Sequence, residues 1–242
     1  MNNKCRRGTI LTSSDGTSLD NRTSGTTKPL SGVTYGNGLF VTVGSSGTIL
    51  TSPDGTTWTS RTNETTNYLN RVTYGNSTFV ISGYSGTILT SSDGTSWDNK
   101  TSGTSVNLYG VTYGNSTFVG VGSGGTILTS SDGTSWDNRT SGTTNNLSGV
   151  TYGNGLFVTV GDSGTILTSS DGTTWTSRTS GLSNSLFGVT HGNGILFVWF
   201  WRISSYLLRW NYVVRYASFW TRFPRSQLWK QYICGSGRIS KQ

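Results

Sequence analysis

The sequence Ser-Ser-Asp-Gly-Thr-Thr-Trp at 169–175 has near copies along the chain, placing Asp15, Asp54, Asp93, Asp132 and Asp171 at a constant interval of 39 residues. A fixed period of that length implies one supersecondary unit stacked on copies of itself, because a single unit is too small to bury both of its faces. Within each copy the Asp carboxylate is suited to accept backbone N–H groups of a tight turn. The Gly after it (Gly16, Gly55, Gly94, Gly133 and Gly172) supplies positive φ. Trp58, Trp97, Trp136 and Trp175 then offer a large apolar surface for packing between neighbouring sheets, whereas the first copy has Leu19 there. That exchange loses contact worth on the order of 1 kcal/mol, so the first unit is expected to be the weakest.

Residues 147–180 read as four strands, at 147–152, 156–161, 165–169 and 174–179, with Gly153-Asn154-Gly155 as a hairpin signal between the first two. On these motifs the chain resembles the Asp-box (BNR-type) repeat family of β-propellers over residues 8–198. The resemblance implies an all-β fold of four-stranded antiparallel blades, with complete blades at 30–63, 69–102, 108–141 and 147–180. Residues 8–24 carry only the third and fourth strands of a unit, and 186–198 only the first and second. Their pairing is expected to close a ring of five blades.

The formal charge of +8 would ordinarily suggest an anionic partner. Its location removes that reading from the repeats: residues 1–194 hold ten basic and all ten acidic residues, while 195–242 hold eight basic residues and five of the nine Trp. The chain therefore divides into a lead at 1–7, repeats at 8–198 and a basic aromatic tail at 199–242, expected to pack poorly on the outside of the ring. Arg202, Arg209 and Arg215 argue against a spanning helix there, at about 2.5–3.5 kcal/mol each at a helix centre. Read one base later, the codons of Trp199, Trp201, Trp210, Trp220 and Trp229 give Gly, and 209–213 are permitted to spell Asp-Gly-Thr-Thr-Trp. The tail is accordingly read as a frameshifted segment of a parent with six such boxes. Cys5 and Cys234 make neither a disulfide framework nor a metal-ligand spacing. No secretory signal is visible at the start, and location is left open.

Catalytic chemistry is sparsely provided for. The family resemblance includes sialidases and other glycoside hydrolases, which need paired carboxylates, or a Tyr nucleophile with an arginine cluster. Here the box aspartates have a turn to hold. Arg22, Arg61, Arg139 and Arg178, with Lys100, recur at one blade position as solvated strand-end residues. His191 replaces the Tyr found at Tyr35, Tyr74, Tyr113 and Tyr152, without a nucleophile or metal partner specified. No catalytic residue, metal site, cofactor or nucleic-acid surface is expected. Comparison of the repeats places their variation in the fourth-to-first-strand connections and the second-to-third turns, which share one rim of a propeller. Lys28, Glu64, Tyr68, Tyr84 and Asp162 depart furthest from the repeat and form the candidate ligand face, with stacking tyrosines and orienting charges. The expected function is a non-catalytic binding or scaffold module for a protein or glycan. The alternatives are a degenerate glycosidase relative and a truncated product without selected function.

Overall fold

The computed structural model describes residues 8–202 and 209–211, with side chains described through Phe200. Nearly all its regular structure is β. A two-stranded sheet of Ile10–Thr12 (β1) and Asp20–Arg22 (β2) precedes four antiparallel four-stranded blades. These are Leu30–Gly36, Leu39–Gly44, Ile49–Ser52 and Thr59–Arg61 (β3–β6); Leu69–Gly75, Thr78–Gly83, Ile88–Ser91 and Asp98–Lys100 (β7–β10); Leu108–Gly114, Thr117–Gly122, Ile127–Ser130 and Asp137–Arg139 (β11–β14); and Leu147–Gly153, Leu156–Gly161, Ile166–Ser169 and Thr176–Arg178 (β15–β18). A three-stranded sheet follows, of Leu186–Gly192 (β19), Ile195–Arg202 (β20) and Arg209–Asn211 (β21). The expected fold class, a β-propeller of four-stranded antiparallel blades on the 39-residue repeat, stands. Neighbouring blades meet chiefly along β3, β7, β11, β15 and β19, so five blade positions converge on one axis through their first strands.

Two local devices set this geometry. Each hairpin between first and second strands turns at an Asn with positive φ, as at Asn154 (51°) followed by Gly155 (75°), the pair that the right-handed twist of the strands favours. Each first strand ends in a Gly, and in the four full blades the aromatic of the next blade lies against it. A Cβ on Gly114 would stand 2.1 Å from the Tyr152 ring, and one on Gly153 would stand 2.2 Å from His191. His191 thus fills the tyrosine position as a packing residue, and its Nε2 is buried without a partner among the described residues.

The core is a series of layers between blades. Val41, Val43 and Ile49 of one blade meet Leu69, Val72, Phe79 and Trp97 of the next, and equivalent residues fill the layers that follow, ending with Val158, Val160 and Ile166 against Leu186, Val198 and Phe200. The full contact of every layer comes from alternation: successive residues of a second strand face opposite neighbours.

The expected closure through the chain ends is not made. Among the described strands β1 pairs with β2 alone, and β20 has β19 and β21 as neighbours, not β1. Strand β20 also runs beyond the end of the repeat at 198. At the place of Phe200 the full blades have Gly161 and its equivalents, where a Cβ would meet the Asn146 carbonyl at 1.9 Å and where the chain bends into its next turn. A Phe cannot bend there in the same way, and the strand continues to Arg202. The lead at 1–7, Cys5, Cys234 and the tail beyond 202, apart from 209–211, lie outside the described residues.

Candidate binding face

The Ser-x-Asp-Gly turns stand on the rim opposite the variable loops and are internally satisfied. In every copy the Asp Oδ1 accepts the N–H two residues on at 2.8 Å, and the Ser hydroxyl donates to it at 2.8–3.0 Å. The same Ser oxygen accepts the Gly N–H at 2.8 Å, and Trp58, Trp97, Trp136 and Trp175 donate Nε1–H to that Gly's carbonyl at 2.9–3.2 Å. The Thr hydroxyl two residues on is the largest influence holding Asp15, Asp54, Asp93 and Asp132 well below the ordinary carboxylate pKa. For Asp171 the backbone N–H of Thr174 leads. Donors from their own turn surround these carboxylates. The recurring arginines lie on the outermost strands, where Arg22, Arg61, Arg139 and Arg178 donate Nε–H to a cross-strand Thr hydroxyl at 2.7–2.9 Å.

Backbone bonds bring the two kinds of variable connection together on one rim. Tyr84 N–H donates to the Tyr68 carbonyl at 2.8 Å, Gly86 N–H to the Val106 carbonyl at 2.7 Å, and Asp162 N–H to the Asn146 carbonyl at 2.9 Å. Of the five residues singled out from the sequence, Tyr68 and Tyr84 are in contact, their rings stacked at 5.2 Å with 29° between planes. Glu64 is exposed on the same connection as Tyr68. Lys28 and Asp162 belong to other blades. Lys28 Nζ reaches the Ser46 carbonyl at 3.4 Å, and Asp162 accepts Asn146 Nδ2–H at 2.9 Å.

Three further residues join this face. Tyr109 meets Tyr84 edge-on at 6.4 Å, and its hydroxyl accepts a hydrogen bond from Ser123 Oγ at 2.8 Å. It occupies a β-bulge that recurs in all five first strands, at Ser31, Asn70, Tyr109, Ser148 and Phe187, where the extra residue re-aims its side chain. Phe187 at that position is 46% exposed. Arg71 follows the second bulge, where the other first strands have Gly, and its Nη1 donates to the Ser31 carbonyl at 2.6 Å and the Asn70 carbonyl at 3.1 Å. Its side chain reaches solvent along part of its length. Removal of water around it lowers its pKa from the ordinary arginine value, an effect that Tyr68 opposes. The sequence carries a signal for all three residues, since each breaks the repeat at a first-strand position outside the variable loops. Three tyrosines in successive contact, with the Arg71 guanidinium near Tyr68, provide π-faces, hydroxyls and a fixed cation. That set stacks on planar or CH-rich groups and orients an acceptor.

No family model and no curated protein matches the sequence. Its backbone is similar to solved β-propellers. These include YCF48 from Cyanidioschyzon merolae (16% identity over 75% of this chain and 70% of that one, TM-score 0.55) and YCF48 bound to D1 peptide (19% identity over 73% of this chain and 63% of that one, TM-score 0.53). A chain of the nidogen/laminin complex is similar too (16% identity over 77% of this chain and 78% of that one, TM-score 0.62). At such identities the likeness establishes the propeller fold. Among the described residues no helix is long and apolar enough to cross a membrane.

Proposed function

We propose that this chain is a non-catalytic binding propeller of the Asp-box kind, which holds an extended segment of a protein partner across the rim at Tyr68, Tyr84, Tyr109 and Arg71. The observation that carries the reading is the stacked pair Tyr68 and Tyr84, two exposed or half-buried rings from different connections meeting at 5.2 Å on the variable rim. Structural and functional demands on the two rims differ. The constant rim uses its carboxylates in its own turns, whereas the variable rim places aromatic surface and a cation at positions where the other blades chiefly carry Ser, Asn or Gly. Propellers of similar backbone are found with a peptide and within a protein complex, which supports a polypeptide over a glycan as the ligand class. Lys28, Glu64 and Asp162 would then set the direction of a bound chain. We further read the tail as the shifted-frame product of a sixth repeat; sequencing the coding DNA tests that reading, and codons at 209–213 unable to spell the box would end it.

Selection of a random peptide display library on the intact protein tests the function. Enriched peptides should lose at least about tenfold in affinity, roughly 1.4 kcal/mol, in Tyr68→Ala and Tyr84→Ala, with the circular dichroism of the fold unchanged. Unchanged affinity would remove this rim. Binding on a glycan array in place of peptides would reassign the ligand, and turnover of a fluorogenic glycoside panel would replace the reading with a hydrolase.

A further inference from the structure

The two ends of the blade series carry matching halves of one interface. At one end β1 and β2 hold only the outer part of a blade position, and a cleft of about 580 Å³ lies between them and the next blade, lined by Ile10, Leu11, Leu30, Val33, Phe40 and Trp58 among others. The residues that should be covered there are bare: Val33 is 64% exposed and Tyr35 58%, against 6% and 8% for Val72 and Val111 at the place of Val33. In every internal layer that space is filled by the first two strands of the preceding blade. At the other end β19 and β20 supply such a pair of strands, with only the short β21 beyond them among the described residues. Gly192 has no atom within 4 Å of the place where its Cβ would stand, although Gly36, Gly75, Gly114 and Gly153 each lie under the aromatic of a following blade. Phe197, at the place of the buried Val41, Val80, Val119 and Val158, is 38% exposed.

The hydrogen-bonding edges match as well. In full blades the second strand pairs with the third over four residues, Val41 opposite Thr51 and Val43 opposite Ile49 in the first. Among the described residues the equivalent stretch of β20, 196–199, pairs with β19 and with no third strand, since β21 engages only 200–202. The outer edge of β1 likewise has no strand beside it among the described residues. Unpaired edges of this kind accept a strand from another chain. The repeat fixes the register: Thr12 opposite Phe197 and Ile10 opposite Trp199, with Tyr35 of the receiving copy lying over Gly192 of the donor.

We propose that copies of this chain join head to tail, the β19–β20 hairpin of one entering the cleft of the next and completing a four-stranded blade with its β1 and β2. The contact is heterologous, with different surfaces on the two partners. It therefore generates a growing series unless the rotation per copy closes it into a ring. The occupant is a second copy because these ends are the two sides of a layer that the chain already builds four times, and because they are left apart within one chain.

The test uses full-length protein carrying Cys5→Ser and Cys234→Ser. Thr12→Cys and Phe197→Cys variants, mixed and oxidised, should give a cross-linked species absent from either variant alone, and the double variant should give a ladder of multimers. A fast-migrating monomer in the double variant would overturn the proposal in favour of closure within one chain. Absence of any cross-link, with Thr12→Cys and Phe197→Cys each folded by circular dichroism, would overturn it outright. Sedimentation velocity supplies an independent reading: the mass should rise with protein concentration in the unmodified chain and stay at that of one copy in Tyr35→Glu. Equal behaviour of the two would count against the proposal.

Discussion

The layer between β7–β10 and β11–β14 and the layer between β1–β2 and β3–β6 are written in nearly the same residues, yet they end in different states. In the first, Phe118 is fully buried and Val111 is 8% exposed; in the second, Phe40 is half-buried and Val33 is 64% exposed. Neither difference comes from the residues themselves, since Phe and Val occupy the same places in both blades. It comes from what stands in front of β3, where no first and second strands lie among the described residues. Burial in a radial repeat is therefore a property of the pair of blades and not of the blade, and the apolar residues of the terminal position contribute only what their one neighbour allows.

Truncating the shared aromatic should separate the layers most. Phe118→Ala leaves a cavity in a closed layer and is expected to cost about 3–5 kcal/mol, whereas Phe40→Ala removes a ring already in contact with water and should cost less than about 2 kcal/mol. Urea unfolding of both variants measures the contrast. Equal losses would mean that the terminal layer is as closed in solution as the internal ones.

A glycine pair probes the same contrast with a single methyl. Gly114→Ala drives a Cβ to within 2.1 Å of the Tyr152 ring, and Gly192→Ala, at the same place in the last sheet, meets nothing within 4 Å. Overpacking of the first kind typically costs about 1–3 kcal/mol, and the second substitution should be close to neutral. Thermal melts of the two variants decide it. A large loss at Gly192 would reveal a partner lying over that strand, which would also strengthen the head-to-tail contact.

The contrast also explains what the sequence could disclose. The period, the Asn turns and the Ser-x-Asp-Gly boxes were legible because each is a local device completed within a few residues. The strand bounds follow from them. What was not legible depends on neighbours: whether the ends pair, how far β20 runs once Phe200 replaces a bending Gly, and that Tyr109 leaves its strand at a bulge to reach Tyr84. Of the candidate face, Tyr68 and Tyr84 were found by their departure from the repeat and meet as a pair. Arg71 departs from it equally but sits in a strand, where variation reads as packing; its bonds to the Ser31 and Asn70 carbonyls, which place its guanidinium between two blades, depend on a neighbour the sequence does not display.

The box carboxylates should show no contrast at all, and that is their use as a control. Asp15 in the incomplete unit and Asp132 in a closed one have the same surroundings, led by the hydroxyls of Thr17 and Thr134, and both are held well below the ordinary carboxylate pKa. Because the folded pKa lies under the unfolded one, the stability these hydrogen bonds give is complete above the ordinary carboxylate range. It is lost as pH falls through the lowered folded pKa. Side-chain carboxyl NMR should find both groups still ionised at a pH where aspartates of the unfolded chain are largely protonated, in step with each other. Asp15 titrating at the ordinary value while Asp132 does not would show that the turn needs a neighbouring blade to form. The box would then be a tertiary device like the layers, not the local one from which the period was read.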